Sequence, residues 1–160
     1  MGVTRRVALA AAFVAASGAL AGVTAAEDAA LVVRMAQGQV AFEMDDLRAM
    51  PRTAFTTRTI WTEGEVRFEG VELAALVARL GLQGRDLRLS ALNEYSVVVP
   101  AGDATPGGAL IAYAVNGAPM SVRDKGPLWL VYPYDSDPAF RTESIYARSI
   151  WQLARIEVVE

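Results

Sequence analysis

The chain has 160 residues and contains neither cysteine nor histidine. Without thiolate or imidazole it can build no Ser-His-Asp or Cys-His nucleophile and no zinc site of the usual kind. A formal net charge of −3 argues against nucleic acid as a partner, because phosphate binding needs a basic face.

In chain order, the first feature is a leader. Arg5 and Arg6 precede an uncharged, Ala-rich run from Val7 to Ala26, and small residues end it at Val23-Thr24-Ala25-Ala26, before Glu27 and Asp28. Positive start, apolar stretch and small-residue site in that order predict a secretory signal peptide over residues 1–26, cleaved after Ala25 or Ala26. At about 20 residues the run could just cross a bilayer, but an anchor calls for leucine rather than alanine. Residues 27–160 then form one exported domain, with no direct membrane insertion after cleavage. The 15 basic residues include Arg5 and Arg6; without them 13 face 18 acidic residues, a net −5. Exported small domains often rely on disulfides. This one must rely on its core, and 53% hydrophobic residues make that feasible.

Leu31 to Met35 reads as an opening strand, and Asp45 to Met50 as a short helical turn stopped by Pro51. Phe55 to Trp61 is rich in β-branched and aromatic residues, which predicts a strand turned by Glu63-Gly64. Val71 to Leu80 is the main helix: Leu73, Leu76, Val77 and Leu80 share one face, and Gly81 stands where a C-terminal cap belongs. Leu87–Leu92 and Ser96–Val99 are two strands around Asn93-Glu94-Tyr95. Ala109–Val115 is another, followed by a tight Asn116-Gly117 turn. Leu128–Tyr132 and Ile150–Val159 complete the set. Many short strands with one main helix, about 71–80, define an α+β fold that is mainly β.

No glycine-rich phosphate loop or EF-hand is present, and no acidic pair stands in a context that marks a hydrolase. What stands out is a set of aromatic and arginine residues near loops: Arg58, Trp61, Tyr95, Arg123, Trp129, Tyr132, Tyr134, Tyr146, Arg148 and Trp151. Aromatic faces with arginines grip flat polar heterocycles by stacking and cation–π contact. The same residues serve equally as core or rim packing. Tyr132-Pro133-Tyr134-Asp135-Ser136-Asp137-Pro138 reads as a rigid loop with two exposed rings. With Arg123 and Lys125 of the RDKGP loop, it is a candidate lid or partner face.

Four ordered blocks are more specific. FTTRTIWTEGEVRFEGVELAALV, ALNEYSVVVP, VNGAPMSVRDKGPLWLVYP and YARSIWQLARIEV resemble the small bacterial proteins of the sulfite-oxidase, molybdopterin-binding fold, from about Phe55 to Val158. The resemblance implies that fold, with mixed sheets. Enzymes of the family hold molybdenum through one cysteine thiolate and the dithiolene of the pterin, and thiolate is the soft ligand such a metal requires. Trp61 occupies or adjoins the position of that cysteine, and an indole cannot replace it. Near the final strand the enzymes place a basic residue before a serine. Arg148 and Ser149 match, but Ile150 stands where a second basic residue would precede the tryptophan. That weakens the case for a complete, phosphorylated molybdopterin and leaves the case for a smaller pterin intact.

The most similar branch is the cysteine-less PruR type: periplasmic, metal-free proteins that bind reduced pterins and act on a membrane-bound cyclic-di-GMP enzyme. The resemblance therefore implies a periplasmic pterin-binding protein with reduced pterin as ligand, no molybdenum and no catalytic residue. Its implied partner is the periplasmic domain of an inner-membrane signalling protein. The expected pterin-binding residues are Trp61, Arg148, Tyr95, Asn93, Glu94, Trp151, Ser149 and Asp135. Trp61 or Trp151 would stack on the ring, and Glu94, Asn93 or Asp135 would hold its amino-pyrimidinone edge. Other readings of the same residues are Trp61 as a plug in a vacated metal site and Arg148 as an ion-pair partner of Glu143. For the whole chain, the alternatives are a molybdopterin-dependent oxidoreductase, or a subunit of one, and an interaction domain without a ligand.

Overall fold

The computed structural model describes residues 28–160; the expected leader lies outside them. The strands are β1 (Leu31–Met35), β2 (Gly38–Phe42), β3 (Thr53–Arg58), β4 (Glu65–Glu72), β5 (Leu87–Ala91), β6 (Ser96–Val99), β7 (Leu110–Val115), β8 (Ala118–Pro119), β9 (Trp129–Val131) and β10 (Leu153–Val158). Three short α-helices, α1 (Met44–Ala49), α2 (Leu73–Leu80) and α3 (Glu143–Arg148), and three single 3-10 turns connect them. The fold is α+β, mainly β, with mixed sheets, as the strand pattern predicts.

The first sheet has the order β2-β1-β10-β5-β6. Its one parallel pair joins the first and last strands, with Val32 opposite Arg155 and Val33 opposite Ile156. The second has the order β3-β4-β7, with β8 and β9 side by side along the far edge of β7. Alternation decides which side chains turn inward. Leu31, Val33, Leu89 and Ile156 of the first sheet and Phe68, Val71, Ile111 and Leu130 of the second meet in one contiguous core.

Three elements differ from the sequence expectation by more than one residue at an end. The helix begins at Leu73, because Val71 and Glu72 still pair with Ile111 and Leu110 of β7. Helical periodicity in the side chains carries no information about that backbone pairing. β3 ends at Arg58 rather than Trp61. The Thr59 hydroxyl accepts a hydrogen bond from the Trp61 N–H at 3.1 Å and lies 2.7 Å from the Thr62 hydroxyl, which offers the backbone a local partner in place of the ladder. β10 begins at Leu153 rather than Ile150. The residues before it form a tie instead: the Leu130 N–H donates to the Ile150 carbonyl at 2.8 Å, the Leu153 N–H to the Leu128 carbonyl at 2.9 Å, and Trp129 bridges to Trp151. This tie joins the edge of the second sheet to the entry of β10 in the first. Strands β2, β4 and β8 and helix α3 are additional to the expected elements. Gly81 does close α2 in the left-handed conformation (φ 68°), and Asn116-Gly117 does turn with positive φ at both residues.

Candidate functional site

The site is built where the tie, the β3–β4 turn and the β5–β6 turn converge. Asp135 anchors the first of these turns. Its carboxylate accepts from the Arg58 N–H at 2.8 Å and its own N–H donates to Thr57 Oγ1 at 3.0 Å, so the segment after β9 holds the end of β3 three residues before Trp61. The Trp61 ring is half-buried among four others, with centroids 5.8 Å from Trp129, 6.1 Å from Tyr134, 5.8 Å from Tyr146 and 5.9 Å from Trp151, all edge-on. Edge-to-face pairs contribute about 0.5–1.5 kcal/mol each beyond their burial, so the indole is firmly positioned.

A cavity of about 350 Å³ opens against this ring. Trp61 forms one wall. The β5–β6 turn contributes Ala91, Asn93 and Tyr95, α3 contributes Tyr146 and Ala147, and the tie contributes Ser149, Ile150 and Trp151. The volume is at the low end of the roughly 300–1,000 Å³ of small-molecule sites. A polar hollow of about 540 Å³ at the other end of β5 and β10, lined by Arg34, Arg85, Arg88 and Glu157 among others, has no aromatic wall.

The expected pterin-binding residues separate into two groups. Trp61, Asn93, Tyr95, Ser149 and Trp151 line the cavity together. Glu94, Asp135 and Arg148 do not. Glu94 sits at the tip of the turn (φ 67°) and pairs with Arg155 at 3.2 Å; Asp135 is occupied with Arg58 and Thr57. Of the three residues expected at a pyrimidinone edge, only Asn93 is at the cavity. Its Oδ1 accepts from the Tyr95 N–H at 3.2 Å, which shapes the turn. Arg148 pairs with Asp103 at 3.0 Å, not with Glu143. Asp103 comes forward on the 3-10 turn Ala101–Asp103 and also accepts from the Tyr132 hydroxyl at 2.9 Å.

The expectation of two exposed rings at Tyr132 and Tyr134 is overturned: both are fully buried. The Tyr134 hydroxyl donates to Ser149 Oγ at 2.6 Å, and that oxygen donates to the Ile145 carbonyl at 2.9 Å. α3 covers Tyr134, with Tyr146 5.7 Å from it, and Phe140 packs 6.0 Å from Tyr132, contacts that the turn-forming residues of the loop do not reveal. Burial pushes both hydroxyls well above the ordinary tyrosine range, and the charge of Asp103 adds to the effect at Tyr132. Both therefore serve as fixed donors. Arg123 lies exposed on the 3-10 turn Val122–Asp124. The Lys125 ammonium stands 5.7 Å from the Trp129 ring centroid and 5.8 Å from that of Trp151. Ala91, Tyr146, Ala147 and Ile150 complete the cavity and are not among the expected ligand contacts. Tyr146 belonged to the aromatic set, but its place in α3 was not anticipated.

Fold and cavity together define a mainly β domain with an aromatic small-molecule pocket. The chain belongs to the oxidoreductase molybdopterin-binding domain family, which its residues 20–136 match. The match ends before α3 and the tie, so Tyr146, Ser149 and Trp151 lie beyond it. No curated protein matches the chain.

The family binds a molybdopterin cofactor. The residues of this chain fit only part of it. There is no cysteine to supply thiolate, the described residues hold no cluster of three metal-binding side chains, and no lining residue of the cavity carries a charge. The lining suits a flat heterocycle and holds no thiolate, the soft ligand expected for the metal.

Proposed function

We propose that this domain binds a pterin-class heterocycle, in its reduced form, without molybdenum. We further propose that it works in the periplasm and relays ligand occupancy to the periplasmic domain of an inner-membrane cyclic-di-GMP enzyme. The observation that carries the reading is the cavity itself: Trp61, Tyr95, Tyr146 and Trp151 wall it in a member of a pterin-binding family that lacks the cysteine. The likeness to the PruR type supports the relay. So does the surface around the mouth, where Ile60, Leu92, Tyr95, Val122 and Trp151 are exposed, Ile60 by 62%. Apolar groups gathered at a ligand mouth let a partner sense what the pocket holds.

Titration of the purified protein with a tetrahydropterin, followed by tryptophan fluorescence, tests binding. Saturable quenching that Trp61→Ala weakens by at least about tenfold supports the reading. No quenching and no thermal shift would leave a ligand-free interaction domain. Stoichiometric molybdenum in protein from cells that make the cofactor would instead favour the oxidoreductase.

A further inference from the structure

We propose that Lys125 is the charge-recognising group of the pocket and selects a ligand that carries an anionic substituent. This rests on the pterin reading and adds to it the electrostatic class of ligand. Three arginines near the site are already paired, and Arg123 lies exposed. Arg58 pairs with Glu65 at 3.4 Å, Arg148 with Asp103 at 3.0 Å and Arg155 with Glu94 at 3.2 Å. The Lys125 ammonium has no ion-pair or hydrogen-bond partner among the described residues. It is half-buried against the faces of Trp129 and Trp151, and Trp151 lines the cavity. Indole faces attract an ammonium but do not neutralise it, so its charge is left for an incoming anion.

The backbone supplies an independent observation. Among the described residues, four other than glycine have positive φ. Asn116 belongs to the Asn-Gly hairpin. The other three, Glu94 (67°), Lys125 (72°) and Gln152 (52°), border the cavity: Glu94 lies between Asn93 and Tyr95, and Gln152 follows Trp151. The Gln152 N–H donates to the Lys125 carbonyl at 3.0 Å, and its side-chain amide donates to the Val122 carbonyl at 2.8 Å. Left-handed backbone at such residues costs free energy and persists where the surroundings impose it. Here it holds the lysine beside the cavity's aromatic wall. Four methylenes then let the ammonium move across the Trp151 ring to a bound anion without moving the loop.

Calorimetric titration of the purified protein with pterin-6-carboxylate and with neutral 6-hydroxymethylpterin tests this. The carboxylate should bind roughly tenfold more tightly, the difference expected of a charge-assisted contact. Lys125→Gln should erase that preference by weakening the binding of the carboxylate to the level of the neutral pterin. In the unmodified protein, added salt should narrow the gap. Equal affinities for the two pterins, a gap insensitive to salt, or a preference that survives Lys125→Gln would each overturn the proposal. In those cases the pterin reading would stand. Failure of both pterins to bind the unmodified protein would overturn this proposal, and failure of a tetrahydropterin as well would overturn the pterin reading with it.

Discussion

Tyr134 shows how a single side chain links the core to the candidate site. Its hydroxyl, 2.6 Å from Ser149 Oγ, fixes a serine that lines the cavity, and its ring packs against Tyr146 and Trp61. Tyr134→Phe keeps the ring and removes the donor, while Ser149 retains its bond to the Ile145 carbonyl. A loss of about 1–2 kcal/mol in urea-denaturation stability is expected. Read from the sequence, Tyr134 sits among prolines, aspartates and a serine, and such residues mark exposed turns. Its burial comes from α3, which folds over it from later in the chain. Trp61, expected from the sequence as a stacking platform, walls the cavity, but the three-dimensional cluster around it is not legible there.

At the scale of elements, one junction holds the site and another the second sheet. Asp103 gathers Tyr132 from the segment after β9 and Arg148 from α3, with the Asp103 and Arg148 side chains 16% and 28% exposed. Asp103→Asn leaves the guanidinium without its counter-charge. It should cost about 1–3 kcal/mol and, by loosening α3, weaken ligand binding at the Tyr146 and Ala147 wall; denaturation and titration of the same variant check both. The second junction is Gly70, at the irregularity between β4 and β7. A Cβ there would lie 1.9 Å from the Ile111 carbonyl oxygen and 2.7 Å from the Ala112 Cα, both backbone atoms. Gly70→Ala should therefore destabilise the protein by at least about 3 kcal/mol, read as a collapse of soluble yield or a large fall in melting temperature. β4 carries a strand signature of its own in the sequence. Val66 and Phe68 alternate with Glu65 and Arg67, the period-two pattern of a strand with one buried face.

Over the whole molecule, the buried tyrosines set the alkaline limit. Tyr132 and Tyr134 titrate higher in the fold than in the unfolded chain, where tyrosine ionises near about pH 10. A raised folded value means that the stability they contribute is fully present below that pH and is lost as the pH rises beyond it. Urea denaturation should show a loss of about 1 kcal/mol per tyrosine by pH ~11. The Tyr132→Phe, Tyr134→Phe double variant should lose correspondingly less over the same interval.

From the sequence by itself came the mainly β class, β1, β6, the Asn116-Gly117 turn and the Gly81 cap, because each depends on spacing or backbone preference within a few residues. The absence of thiolate and imidazole chemistry is equally a property of the sequence alone. Tertiary structure decided which aromatics meet, that Tyr132 and Tyr134 lie inside, that Arg148 answers Asp103, and that Lys125 stands over two indoles without a counter-ion among the described residues. Those outcomes depend on contacts between residues distant in the chain, and local pattern carries no information about which distant partner arrives.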